Sequence, residues 1–315
     1  MAETGKDINK AKLLLERGEV VAIPTETVYG LAGNALDESS VARIFSVKNR
    51  PHFDPLIVHI PDFEAASRYT ENIPDAAAAL AGVFWPGPLT LVLKKRSIIP
   101  DLVTSGLETV GIRCPDHPLS MELLRAAGFP LAAPSANPFG YVSPTSAAHV
   151  NEQLGDRIPY ILDGGSCEVG IESTIVGFEE GAPVVYRMGG LSLEDIERVA
   201  GPVKVRAHST SNPIAPGQLM NHYAPRVKVV IGTLEELLRS YPAHCSGILS
   251  FNRDFNSPYQ FILSTTGSME EAARNLFKAL RAFDKMPVQV ILAELVPETG
   301  LGRAINDRLR RAAAN

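Results

Sequence analysis

The stretch Val20-Val21-Ala22-Ile23-Pro24-Thr25-Glu26-Thr27-Val28-Tyr29-Gly30 decides how this chain is read. Its apolar start predicts a short buried strand, and Pro24 ends that strand at a cluster of hydroxyls with one carboxylate. Polar clusters just beyond strands lie where α/β folds bind ligands. Upstream, residues 7–17 set Ile8, Leu14 and Leu15 among charges, an amphipathic helix stopped by Gly18. Downstream, residues 39–47 predict a helix capped by Asp37, and residues 56–60, 89–93, 110–113 and 131–133 predict strands. The fold class is α/β, a mixed sheet with helices.

Farther along, Glu194 and Asp195 open a short helix behind Ser192, and residues 201–226 hold Gly, Pro, Ser, His and Asn with little apolar periodicity. Beyond that linker the text alternates again. Residues 227–231, 247–251, 261–263 and 288–292 predict strands, with capping boxes at Thr233/Glu236 and Ser268/Glu271. A smaller Rossmann-like β/α domain is expected there. The chain divides into residues 1–200, a linker or lid at 201–226, and residues 227–315. Arg308, Arg310 and Arg311 read as a solvated helix end that complements the helix dipole.

At roughly 150 residues per domain, 315 residues allow two domains. Apolar residues at 45% and charged residues at 21% exclude a disordered or fibrous chain. With 30 Lys and Arg against 35 Asp and Glu, the net charge of -5 gives no global pull toward nucleic acid or anionic lipid. The nearly apolar run at 76–85 is far short of the ~20 residues that span a bilayer. Residues 1–15 resemble neither a signal nor a transit peptide, so the cytoplasm is expected. Cys114, Cys167 and Cys245 lack C-x-x-C spacing, against a disulfide framework or a thiolate zinc site, and a reducing compartment fits.

Common nucleotide fingerprints are missing: there is no G-x-x-x-x-G-K-[ST] and no G-x-G-x-x-G after a strand. A phosphate site would have to be built another way. Lys48-Asn49-Arg50-Pro51 sets two cations two residues apart, after a helix and before an extended stretch, so both heads can reach one cleft. Ala133-Pro134-Ser135-Ala136-Asn137 follows another strand with a hydroxyl and an amide. Taken singly, each of these also reads as helix-end or turn chemistry. Glu172-Ser173-Thr174-Ile175-Val176, and Arg187 before Gly189-Gly190, read by themselves as strand and loop.

Taken together, these segments resemble the YrdC-like threonylcarbamoyl-AMP synthases in their longer form. The resemblance rests on residues 24–30, Lys48 and Arg50, residues 55–60 with His59, residues 109–113, Ser135 and Asn137, Ser143-Pro144, residues 173–176, Arg187, and His222-Tyr223-Ala224-Pro225. It implies a YrdC-like twisted open sheet and an enzyme that joins L-threonine, bicarbonate and ATP into threonylcarbamoyl-AMP and pyrophosphate, the first step of tRNA threonylcarbamoyladenosine formation. It further implies that Arg113 holds the threonine carboxylate, with Thr27, His59, Ala133 and Ser173 around the rest of that substrate. Lys48 and Arg50 would contact the phosphates and carbamate as catalytic groups. Asp54, Thr109, Ser135, Asn137, Ser143 and Arg187 would form the nucleotide site, with His222 and Tyr223 closing over it. Mg²⁺ would arrive with ATP, and the product would pass to a tRNA threonylcarbamoyltransferase, without strong nucleic-acid or membrane binding by this chain. Asp54 stands where the family commonly has Asn, and Ala215 where it commonly has Ser before Pro-Gly. Two other readings are a non-catalytic RNA-binding module, disfavoured by charge, and the carbamoyltransferase of hydrogenase maturation, whose paired C-x-x-C motifs are missing.

Overall fold

The computed structural model describes residues 1–206, 215–216 and 223–314. Its first helix, Ile8–Glu16, starts where Asp7 accepts a hydrogen bond from the Lys10 N–H, as an N-cap should. Asp37 does the same for Ser39 and Ser40 at the start of Glu38–Lys48, which buries Val41, Ile44, Phe45 and Lys48 along one face. Spacings of three and four place them on one stripe, so Lys48 is carried inward with the apolar residues.

In chain order the strands of the first unit are β1 (Glu3–Gly5), β2 (Val21–Ile23), β3 (Gly30–Asn34), β4 (Ile57–His59), β5 (Leu89–Lys94) and β6 (Thr109–Arg113). They continue with β7 (Leu131–Ala132), β8 (Tyr160–Leu162), β9 (Thr174–Glu179), β10 (Ala182–Arg187) and β11 (Lys204–Val205). They pair in the order β1-β8-β2-β3-β7-β4-β6-β5-β9-β10-β11. The sheet is mixed: β4 and β6 run parallel, whereas β2 and β3, and β5 and β6, run antiparallel. β11 extends this sheet beyond residue 200, into the stretch expected as linker.

The second unit has β12 (Lys228–Ile231), β13 (Ser246–Ser250), β14 (Gln260–Ile262) and β15 (Val290–Ala293), all parallel in the order β12-β15-β13-β14. Helices Leu234–Ser240, Met269–Phe283 and Gly302–Ala312 accompany it. One expected capping box is partly realised: Ser268 accepts from the Glu271 N–H, while the Glu271 carboxylate turns to Ser264 and Thr266. At the other box, Thr233 has N-cap backbone geometry but makes no side-chain cap bond.

An apolar core lies within the first unit, joining Leu15, Ile23, Leu31, Phe45, Val58 and Ile112. A second is shared between units, because Val28, Val142 and Ile171 pack in the cluster that holds Phe277, Leu280 and Ile305. The expected solvated end is not found. Arg308 and Arg311 are buried against Glu172 and Asp307, and Arg310 alone of the three is exposed, paired with Glu298. Helix Gly302–Ala312 turns this face into the seam between units, and paired burial replaces solvation there.

Candidate active site

Strand ends bring the polar residues together. β4 delivers Ile57 and His59, its parallel neighbour β6 delivers Arg113 in register with His59, and the turns after β2 and β7 add Val28 and residues 133–135. Glu172, Ser173 and Arg187 close the other wall, with Arg50, Pro216 and Tyr223 above. The residues at Gly189 pass so close to Glu172 and Ser173 that a Cβ there would lie 2.3 Å from the Glu172 carbonyl oxygen, which is why glycine occupies that position.

Arg113 uses one guanidinium nitrogen, Nη2, to donate to Glu26 Oε1 at 2.7 Å and to Thr27 Oγ1 at 2.8 Å. Thr27 Oγ1 also shares a 2.8 Å hydrogen bond with Thr25 Oγ1. The Arg113 Nε is buried without a hydrogen-bond partner. Beside it His59, 2% exposed, has an unpartnered Nδ1, and burial, followed by the Arg113 cation, pulls its pKa down to about 3. The imidazole is neutral at physiological pH.

Asn49, left-handed at φ 51°, ends the helix and lets Lys48 and Arg50 turn inward from consecutive turns of chain. The Lys48 Nζ donates to the carbonyl oxygens of Ser135 and Asn137, and burial, then the Arg50 cation, holds its pKa well below the usual lysine value. Arg50 donates to the carbonyls of Asp54 at 3.0 Å and Pro55 at 2.9 Å. Its Nη2 also lies 2.9 Å from Asp54 Oδ2, an ion pair without hydrogen-bond alignment, since neither carboxylate oxygen makes a hydrogen bond. Burial raises the Asp54 pKa against the pull of Arg50. Arg187 donates from Nε to the Ser173 carbonyl at 3.1 Å and from Nη2 to Ser173 Oγ at 3.0 Å, and Ser173 Oγ also bonds Thr90 Oγ1 at 2.8 Å. The Arg187 Nη1 reaches the Pro216 carbonyl at 3.3 Å, tying the linker to the wall.

Residues 13–189 match the family described as "Telomere recombination", and residues 191–314 match "Threonylcarbamoyl-AMP synthase, C-terminal domain". A threonylcarbamoyl-AMP synthase of Pyrococcus abyssi is 44% identical over 95% of this chain and 92% of its own. That of Bacillus subtilis is 42% identical over 97% and 92%. The chain belongs to the threonylcarbamoyl-AMP synthase family. A crystal structure of P. abyssi Sua5 complexed with L-threonine superposes with a TM-score of 0.93 at 41% identity, covering 100% of this chain and 98% of that one.

Of the residues that the family resemblance singles out, Arg50, His59, Arg113, Ala133, Ser135, Ser173, Arg187 and Tyr223 line one cavity. Thr27 and Lys48 stand directly behind it through their bonds to Arg113 and Ser135. Asn137 donates from Nδ2 to the Pro138 and Tyr141 carbonyls, while its Oδ1 is buried without a hydrogen-bond partner. Ser143 is buried and donates to the Glu172 carboxylate. Thr109 lies at the far end of β6, four residues from Arg113, and does not line the cavity. His222 lies outside the described residues. Sequence reasoning missed the functional weight of Glu26 and Glu172, quoted only as members of their segments. A signal was present for each: an acidic residue beside a run that folds inward needs a cationic partner.

Proposed function

We propose that this chain condenses L-threonine, bicarbonate and ATP to threonylcarbamoyl-adenylate and pyrophosphate. One observation carries the reading: a single cavity is lined both by Arg113, His59 and Ser173, suited to an amino acid, and by Arg50 and Arg187, suited to phosphates. Arg113, already balanced by Glu26, offers its remaining N–H groups to the threonine carboxylate. Neutral His59 adds no cation of its own near the amine, which must be unprotonated to react. The amine nitrogen bonds to the carbon that bicarbonate supplies, the C–OH bond of bicarbonate breaks, and water leaves with one amine hydrogen to give the carbamate. A carbamate oxygen then forms a bond to the α-phosphorus while the bond from that phosphorus to the bridging oxygen breaks, and pyrophosphate leaves. Lys48, Arg50 and Arg187 neutralise the charge that spreads over the phosphates, and positioning supplies most of the remainder.

Mg²⁺ enters with ATP as part of the substrate. No cluster of three or more His, Cys, Asp or Glu side chains suited to a metal occurs among the described residues. Asp54 is fully buried against Arg50 and does not line the cavity, so the ion is held by the phosphates and water with no tightly bound protein-ligated site, as the family resemblance implies. Ser135 adds an oxygen near the nucleotide, Ser143 braces Glu172 from behind the wall, and Tyr223 with the 215–216 segment shuts out water. The adenylate is then handed to a tRNA threonylcarbamoyltransferase. The test is a reaction with radiolabelled ATP: labelled threonylcarbamoyl-AMP should form only when threonine and bicarbonate are both present, and AMP release independent of threonine would refute the reading.

A further inference from the structure

We infer that Arg308, supplied by the second unit, is a positioning residue of the nucleotide subsite: it neutralises Glu172 in the cavity wall so that the wall accepts a triphosphate. The inference rests on the proposed function above. On helix Gly302–Ala312, Arg308 shares a stripe with Ile305, Leu309 and Ala312, and it heads the fully buried side chains by size. Its Nε and Nη2 donate to Glu172 Oε2 at 3.2 and 3.0 Å, and its Nη1 donates to the Met188 carbonyl and to Asp307 Oδ2. The other Glu172 oxygen accepts the Ser143 hydroxyl. Ser143 is also gripped from the second unit, because Arg281 on helix Met269–Phe283 donates to its carbonyl at 3.2 Å. The Arg308 guanidinium lies 5.2 Å from the centre of the Tyr223 ring, another cavity residue.

Glu172 lines the cavity at 6% exposure. Without Arg308, its directly paired cation, it would keep only the more distant charge of Arg187 and would present a poorly compensated anion, in a poorly solvated wall, to a ligand bearing several negative charges. Zwitterionic threonine would feel that anion far less. A plain brace between units would not need this arrangement, since the more exposed pairs Lys285–Glu152 and Arg303–Glu194 already span the seam.

Arg308→Met in the full chain tests this by steady-state synthesis with ATP and threonine varied in turn. The KM for ATP should rise at least about tenfold, with the KM for threonine changed less than about threefold. Arg308→Met with Glu172→Gln should bring the ATP KM back toward that of Glu172→Gln alone, because the stranded charge is gone. An unchanged ATP KM, or equal rises in both KM values with a lowered melting point, would overturn the inference and leave Arg308 a structural brace. Should Arg308→Met fail to fold, Arg308→Lys decides. Lysine keeps the charge without the fork, so ATP affinity by calorimetry should stay within about threefold, and a larger loss shared with threonine sinks the idea. The wild-type chain in the same assay separates the two claims: no adenylate from it defeats the proposed function, whereas adenylate from it with an unaffected Arg308→Met defeats Arg308 alone.

Discussion

Lys48 is where burial and charge oppose each other most strongly, an amine 1% exposed that donates only to main-chain carbonyls and has a Coulombic neighbour of its own sign in Arg50. A triphosphate arriving beside it favours the protonated form, so ATP binding should be linked to proton uptake at pH values where Lys48 of the free chain is partly deprotonated. Calorimetry in buffers of different ionisation enthalpy reads that uptake, which Lys48→Met should reduce; equal uptake in both chains would refute it. Lys48→Ala and Arg50→Ala should each lower turnover by about 10² to 10³, the scale of losing one preorganised charge stabiliser, with near-normal pyrophosphate release the contrary result. His59 gives a pH dependence of known sign. Its ordinary value of 6.5 falls to about 3 in the folded chain, so its contribution to stability is complete above 6.5 and lost as pH falls toward 3. His149, pulled to about 4 by burial, acts in the same direction. Urea midpoints should therefore decline from pH 6.5 downward, and His59→Gln should flatten the slope between 6.5 and 5; an unaltered slope would count against the assignment. At this scale Lys48 and Arg50 could be singled out by their local spacing, and Arg113 only through the family resemblance. The carboxylates that balance them were not, because Glu172 and Arg308 are 136 positions apart and meet only through the fold.

Elements were legible where a cap and a stripe coincide, as at Asp37 and the helix behind it, or where a short, mostly apolar run stands alone, as at β5. β3, Gly30–Asn34, was missed: two of its five residues are glycine, and it is held in place by pairing with β2 and β7 rather than by its own propensity. β1 was missed for a similar reason, a polar, mostly exposed triplet that depends on β8. Arg308 could have been found at this scale, since its position on the Ile305–Leu309–Ala312 stripe is that of a buried residue. Two glycines allow a paired test of element packing. Gly189→Ala sets a methyl against main-chain atoms of Glu172 and Ser173 that cannot yield, and should lower stability by about 1–3 kcal/mol while weakening nucleotide binding. Gly82→Ala, inside helix Asp75–Phe84 with nothing within 4 Å, should instead raise stability by about 0.5–1 kcal/mol. Thermal melts of both variants check the contrast, and a Gly189→Ala chain as stable as wild type would contradict it.

Across the whole molecule, the two units meet directly along a seam and not only through the 201–226 stretch. Val28, Val142 and Ile171 share a core with Phe277 and Ile305, Arg281 crosses it to donate to the Ser143 and Val142 carbonyls, and Arg308 crosses it to pair with Glu172. Linkers announce themselves by composition; a shared core between distant segments leaves no local pattern. The two units should consequently unfold in one calorimetric transition whose van't Hoff and calorimetric enthalpies agree, and two resolved transitions would show the seam to be weak. The Arg308–Glu172 pair also carries a consequence in time. Ribosomes build the chain from its amino terminus, so every cavity residue through Arg187 exists 308 − 187 = 121 residues before Arg308 does. At about 5–20 residues per second that interval lasts roughly 6 to 24 s. Throughout it the nascent first unit carries Glu172 without its paired cation, and on the role inferred for Arg308 nucleotide capture should wait for helix Gly302–Ala312.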